Sequence, residues 1–490
     1  MSIRFHLLVL ATTLVAGLAG CGSDVARKRS LVLAECRLTN LASAVQCGEL
    51  EVPEDRSKPD GRTIRIFAAV LPANTVSPKD DPLVILAGGP GQAASTLAAF
   101  ASRLVDVRRT RDIVLIDQRG TGRSSPLNCD AFKPRDDDAF DIDPTPRARA
   151  CVAELKARGI DPAQYTTTAW IADLDAMRTA LGYERWNLWG GSYGSRVALE
   201  YVRTHPQRVR TMTLDGVAPP SLIITLDIWR TRAATMNAIL DACKASRACV
   251  AAHPDPHTLL NRVAADLGPG GREIAFVDPR TGAPEHVRIT FDAVLSALQP
   301  LTYLPEMAML LPELLSLAAK GEYTPLFAAN LALTGSMNDA MNAALHFSVT
   351  CAEDVPRVTP DARARALAGL PVRDLAERLI GVCDVWPRGT AAPAMTQPLR
   401  SDVPTLLVSG GMDPVTPPAY GTLVARDLAN SRHIVAPGYG HIVTPHACGP
   451  RLLATFVDTA DPARLPATCV TYFENSVPPP VWSGRLEPRP

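Results

Sequence analysis

Short runs that are apolar at every position recur along the first half of the chain. Leu83-Val84-Ile85-Leu86-Ala87 and Ile113-Val114-Leu115-Ile116 have the length and continuity of strands buried on both faces. Between such runs the apolar positions change to a helical period. Ile171, Leu174, Met177 and Leu181 fall on one face of a helix over 167–181, and Gly182 suits its C-terminal cap. Further strands are expected at 48–52, 63–71, 186–189 and 209–214, with Pro59-Asp60-Gly61 as a turn between the first two. Strands alternating with helices predict an α/β fold with a mostly parallel sheet flanked by helices.

The alternation stops at Pro219. Residues 221–400 carry little strand signal beyond 272–277 and 286–289, and Leu-, Ala- and Met-rich helical stretches such as 303–319 dominate. None is apolar for 18 residues without a charge, so a soluble helical insertion is expected. The alternation then resumes: strand 405–408, helix 420–428, strand 433–435, helix 449–457. The expected organisation is a core over 36–220, a helical cap over 221–400, a returning core over 401–475 and a Pro-rich surface or disordered tail over 476–490.

Composition adds two facts. A formal net charge of zero over 490 residues provides no electrostatic case for nucleic acid. The first 20 residues have a positive start at Arg4, an apolar stretch too short to span a bilayer and small residues at the end, which reads as a secretion signal. Leu18-Ala19-Gly20-Cys21 resembles a bacterial lipobox. That resemblance implies cleavage before Cys21, acylation of Cys21, a tether over 21–35 and a lipid-anchored envelope protein, in the outer membrane or periplasm of a Gram-negative source.

Removing Cys21 leaves ten of the 11 cysteines. An oxidising compartment lets these form disulfides. Sequence leaves their connectivity open; nearest neighbours in the chain would pair as Cys36–Cys47, Cys129–Cys151, Cys243–Cys249, Cys351–Cys383 and Cys448–Cys469.

The chemistry is concentrated in Gly190-Gly191-Ser192-Tyr193-Gly194. A buried strand runs into Gly-x-Ser-x-Gly and a helical pattern follows at once, the context of a nucleophile elbow. Chance alone supplies roughly 0.1 such motifs in a chain of this length. A serine needs a base and the base an orienting acid. His441 follows the last expected strand, where a loop can return it over the elbow. Asp413, in a Gly/Pro-shaped loop after the penultimate strand, is the first choice of acid; Asp215, ending the strand before the insertion, is its rival. The order Ser, Asp, His is that of an α/β-hydrolase. Oxyanion donors are expected from the backbone amides of Tyr193 and of Gly89, within Gly88-Gly89-Pro90-Gly91. There is no His-Glu-x-x-His and no Gly-Lys-Ser/Thr, and His253 and His257 fall in a Pro-bearing loop, so neither metal nor cofactor is expected.

These stretches, with Asp117-Gln118-Arg119-Gly120-Thr121-Gly122-Arg123-Ser124, Gly411-Met412-Asp413-Pro414-Val415-Thr416-Pro417 and Gly440-His441, resemble the prolyl iminopeptidase and tripeptidyl aminopeptidase family of α/β-hydrolases. The likeness runs from about Cys36 to Cys469. It implies a serine aminopeptidase acting on peptides with a free N-terminus, under a cap whose acidic residues hold the substrate amine. Val349-Thr350-Cys351-Ala352-Glu353-Asp354 resembles a cap motif of the larger members, which makes Glu353 the expected amine ligand. Ala87 and Gln92-Ala93-Ala94 depart from the family pattern around the glycine loop. A carboxylesterase acting on small esters through the same scaffold is the alternative. The oligomeric state is not legible.

Overall fold

The computed structural model describes residues 29–133, 143–277 and 282–484, with only the backbone of residues 285 and 334–340. The expected signal, Cys21 and most of the Asp-rich stretch 136–143 lie outside the described residues.

Among the described residues eleven strands are formed: β1 (Ala34–Cys36), β2 (Val45–Pro53), β3 (Thr63–Leu71), β4 (Leu83–Leu86), β5 (Ile113–Ile116), β6 (Trp186–Gly191), β7 (Val209–Asp215), β8 (Arg272–Val277), β9 (Pro284–Ile289), β10 (Thr405–Gly410) and β11 (Ser431–Ala436). Nine make one sheet in the order β1-β2-β3-β5-β4-β6-β7-β10-β11. From β5 to β11 neighbouring strands are parallel; β1, β2 and β3 form an antiparallel edge that joins β5. The apolar runs of β4 and β5 are buried at every position. Their alternate residues serve opposite faces: Val84, Leu86, Val114 and Ile116 pack in one core and Leu83, Ile85, Ile113 and Leu115 in another. That division is why the runs are continuous in sequence.

Between β7 and β10 the chain builds helices, beginning with Ile224–Ala245, and the hairpin β8–β9. Ile239, Val263, Phe276, Leu298, Leu314 and Phe327 belong to a core separate from the sheet. The later part of the insertion does not stand apart. Leu345, Val349, Cys351 and Trp386 pack in the same core as Trp186 and Tyr193, so the helix Ala343–Glu353 is part of the sheet's covering layer.

Two expectations change. The stretch 303–319 is two helices, Pro305–Ala308 and Leu311–Ala318, because Pro305 and Pro312 each begin a new first turn. The end of the expected tether is docked: Ser30 and Leu31 donate to Ala180 O at 3.0 Å, and β1 pairs with β2. The described part of the tail, 476–484, runs over the surface, where Gly438 N donates to Ser476 Oγ at 3.0 Å and Trp482 N to Met309 O at 3.0 Å. All five nearest-neighbour cysteine pairs are bonded, with Cα–Cα separations from 5.2 to 5.9 Å.

Candidate active site

Ser192 joins β6 to the helix Tyr193–Thr204 with φ 56° and ψ −125°, a backbone conformation that a non-glycine residue adopts only when its surroundings enforce it. The enforcement is local. Ser192 N donates to Asp215 O at 2.9 Å. A Cβ on Gly190 would lie 2.3 Å from Gly194 O, and one on Gly194 would lie 2.1 Å from Leu86 O. Strand and helix approach so closely that both flanking positions must lack a side chain. Ser195 Oγ accepts from Ala218 N at 2.8 Å and donates to Ser192 O, fastening the first helical turn to the segment after β7.

The glycine loop after β4 lies against this turn: a Cβ on Gly88 would come within 3.1 Å of Ser192 Cβ. Gly89 has φ 105° and precedes a cis peptide bond to Pro90. Among the described residues, neither the Gly89 amide nor the Tyr193 amide donates to another group. The helix Ala343–Glu353 clamps the loop from above, through Asn342 N to Gly91 O at 2.9 Å and His346 Nδ1 to Pro90 O at 3.2 Å. Burial holds His346 below its ordinary pKa.

Asp413 follows β10 and His441 follows β11. His441 Nδ1 meets Asp413 Oδ2 at 2.8 Å. Thr416 Oγ1 donates to the same oxygen at 2.7 Å, and the amides of Val415 and Thr416 donate to Oδ1, both at 2.8 Å. Burial alone would raise the Asp413 pKa; the adjacent imidazole and these donors outweigh it and hold the carboxyl below its usual range. An ionised carboxylate only accepts, so Nδ1 carries the proton and Nε2 is left as the free acceptor of the ring. A Cβ on Gly216, the residue after the Asp215 that holds Ser192 N, would lie 3.1 Å from His441 Cε1. Ser192 and His441 therefore flank the same turn.

The rival acid has another task. Asp215 accepts from Val443 N at 2.8 Å, from Thr444 N at 2.7 Å and from Thr444 Oγ1 at 2.6 Å. It anchors the loop that presents His441 instead of bonding the imidazole. Thr444 Oγ1 also accepts from Trp189 Nε1 at 2.8 Å, which ties that loop back to β6.

Glu353 does not face an open site. It is 2% exposed, and its two oxygens accept from Thr167 N at 2.7 Å and Thr167 Oγ1 at 2.9 Å. Tyr193 OH lies 2.6 Å from the same Thr167 hydroxyl and accepts from Gln118 Nε2 at 3.3 Å. The expected amine ligand is thus a buried brace under the elbow helix, because the helix carrying it packs into the sheet's core. Burial pushes its pKa up to about 7, only partly offset by the Thr167 hydrogen bonds and the Arg196 charge. Asp354 beside it pairs with Arg196 at 3.0 Å.

Sequence reasoning missed the parts played by Thr416, Thr444 and Thr167. Thr416 lies within a quoted motif; the other two carry no signal, since a threonine on a helix or loop is ordinary. His253 and His257, weighed as a metal pair, face different carboxylates, Glu313 at 3.5 Å and Asp241 at 2.8 Å.

Residues 81–252 match the family model described as alpha/beta hydrolase fold and residues 372–469 that described as TAP-like protein, together more than half of the chain. The serine protease Hip1 of Mycobacterium tuberculosis is 28% identical over 445 residues, which cover 81% of this chain and 82% of that one. The tripeptidyl aminopeptidase of Streptomyces lividans is 32% identical over 200 residues, 37% of each chain. Among solved structures, the proline iminopeptidase of Mycobacterium smegmatis aligns with a TM-score of 0.40 and 15% identity, covering 87% of this chain and 97% of that one. With this sheet and these two family segments, the chain has the α/β-hydrolase fold and is a serine hydrolase similar in sequence to peptidases.

Proposed function

We propose that the protein is an exported serine aminopeptidase in which Ser192, His441 and Asp413 form the catalytic triad. The observation that carries this reading is the 2.8 Å contact between His441 Nδ1 and Asp413 Oδ2, made beside a serine held at φ 56° on the elbow. With Nδ1 committed to Asp413, Nε2 takes the proton of Ser192 Oγ as the oxygen attacks a peptide carbonyl. The oxyanion is received by the amides of Tyr193 and Gly89, each worth about 3–4 kcal/mol in the transition state. His441 then returns the proton to the leaving amine, and a water deprotonated by the same nitrogen hydrolyses the acyl-enzyme.

The amine-recognition part of the expectation is not carried by Glu353, whose oxygens are already engaged. The aminopeptidase reading rests on the named activities of the relatives and on the TAP-like segment. Export is supported by the five disulfides and the lipobox-like Leu18-Ala19-Gly20-Cys21.

The test is a panel of peptide anilides with free and blocked amino termini beside short-chain aryl esters, with fluorophosphonate labelling of Ser192. Preference for free-amine peptides supports the reading; equal cleavage of blocked and free peptides removes exopeptidase action, and turnover of esters alone makes the protein a carboxylesterase.

A further inference from the structure

The cap contains a cavity of about 220 Å³ between the helices Ile224–Ala245 and Phe291–Leu301 and the segment 369–372. Its walls are mainly apolar, with Trp229, Met236, Leu260, Leu295 and Leu298 among them. A cavity of roughly 150 Å³ takes a benzene ring, so this one has room for a single large side chain.

One wall is polar in a way that the protein leaves incomplete. Arg232 donates to Gln299 Oε1 and, at 3.1 Å, to Tyr303 OH. Its guanidinium also stands over the rings of Trp229 and Tyr303, at 5.6 and 6.0 Å. Yet Arg232 Nε and Gln299 Nε2 are both buried without an acceptor. Among the described residues, no carboxylate pairs with Arg232, in contrast to the buried Arg119 and Arg196, which each pair with an aspartate. The guanidinium thus has neutral acceptors alone, and a cation so placed is best completed by an anionic one. A planar guanidinium suits a carboxylate in particular.

Tyr303 stands between Arg232 on the cavity wall and the candidate reacting groups. Tyr303 packs edge-on against the His441 ring at 5.2 Å, and its carbonyl accepts His441 N at 3.2 Å. Thr231, next to Arg232, donates to Pro414 O at 2.8 Å, beside Asp413. Two ring contacts thus separate the guanidinium from the imidazole, a gap that two to three extended residues cover at about 3.3–3.6 Å each.

We propose that this cavity is a subsite for the C-terminal residue of a short peptide substrate, its apolar side chain between Trp229 and Leu298 and its α-carboxylate on Arg232 and Gln299. The proposal rests on the peptidase reading and deepens it: the leaving fragment is two to three residues long and ends in a free, apolar C-terminus. The substrates are oligopeptides and not intact proteins.

The test is calorimetric binding to the Ser192→Ala protein, which needs no turnover. The probes are Ala-Ala-Ala-Leu as free acid, its C-terminal amide, and Ala-Ala-Ala-Gly as free acid. The acid should bind at least tenfold tighter than the amide. Arg232→Gln in that background should bring the ratio close to one, and Arg232→Lys should keep part of it. Met236→Trp should erase the preference for leucine over glycine while keeping that for acid over amide; it carries the test with Arg232→Lys if Arg232→Gln does not fold. Undetectable binding of the acid, equal binding of acid and amide, or an acid preference unchanged by Arg232→Gln overturns the subsite. Binding as expected, with no cleavage of these peptides by the wild-type protein, would instead remove the peptidase reading and leave the subsite standing.

Discussion

Asp413 and Asp215 stand at the ends of adjacent parallel strands, and they divide between them the work of placing one histidine. Asp413 bonds the His441 imidazole at 2.8 Å, while Asp215 holds the backbone of Val443 and Thr444, two and three residues further on. One carboxylate orients the ring and the other fixes the loop that carries it.

Exchange of the two acids should therefore have different signatures. Asp413→Asn should lower kcat by about 10⁴-fold, because an amide no longer enforces the Nδ1–H tautomer. Asp215→Asn should act first on stability, by about 1–3 kcal/mol, since it weakens buried acceptors for two amides and a hydroxyl. Steady-state kinetics beside urea denaturation separates the two; a purely kinetic effect of Asp215→Asn would contradict the division.

Ser192→Ala should reduce turnover by 10⁴-fold or more, with residual rate over water from the oxyanion donors alone. Its melting temperature should stay at or above that of the wild type, because the strained φ persists but a polar group is removed. Fluorophosphonate labelling should vanish with it, and retained labelling would mean that another residue is the nucleophile.

Gly194→Ala should be poorly tolerated. The added methyl would sit 2.1 Å from Leu86 O, a backbone atom that cannot rotate away, and overpacking of this kind costs about 1–3 kcal/mol or more. Loss of denaturant stability together with slower labelling of Ser192 is the expected pair of results. Normal labelling would show that the elbow can widen.

Glu353 supplies a pH dependence of known sign. Its folded-state pKa of about 7 exceeds the ordinary glutamate value of 4.5, so the native state holds the extra proton between those values. Stability should fall as pH rises from about 4.5 to 7 and then level off. Glu353→Gln should flatten that slope. It should leave the ratio of free-amine to blocked peptides unchanged, because the side chain is buried against Thr167. Asp413 contributes with the opposite sign: its depressed pKa gives stability that is full above the ordinary carboxylate value and is lost as pH falls through its own lower one. Denaturation curves across pH 3–9 for wild type and Glu353→Gln read both effects.

The lipobox-like Leu18-Ala19-Gly20-Cys21 carries a prediction of its own, acylation of Cys21. Cys21→Ser should release soluble protein on expression, and mass spectrometry of the mature wild-type N-terminus should find acylated Cys21; an unmodified N-terminus elsewhere would remove the anchor.

The amino-acid pattern by itself determined the parallel sheet and the elbow. Continuous apolar runs such as Leu83–Leu86 bury both faces of a strand, and glycines two positions either side of Ser192 answer to a steric demand that acts within a few residues. It also put Asp413 and His441 after the last two sheet strands, since chain order constrains which loops reach one end of a parallel sheet. The tertiary structure decided what depends on distant elements meeting. It gave Asp215 the loop of His441 and not its ring, because two carboxylates on neighbouring strands differ only in where the return loop passes. It turned Glu353 from an expected ligand into a brace, because the helix Ala343–Glu353 packs into the core with Trp186 and Tyr193 instead of standing over the cleft. And it brought Arg232, Gln299 and Tyr303 together beside His441, an assembly made by the packing of cap helices that no local spacing encodes.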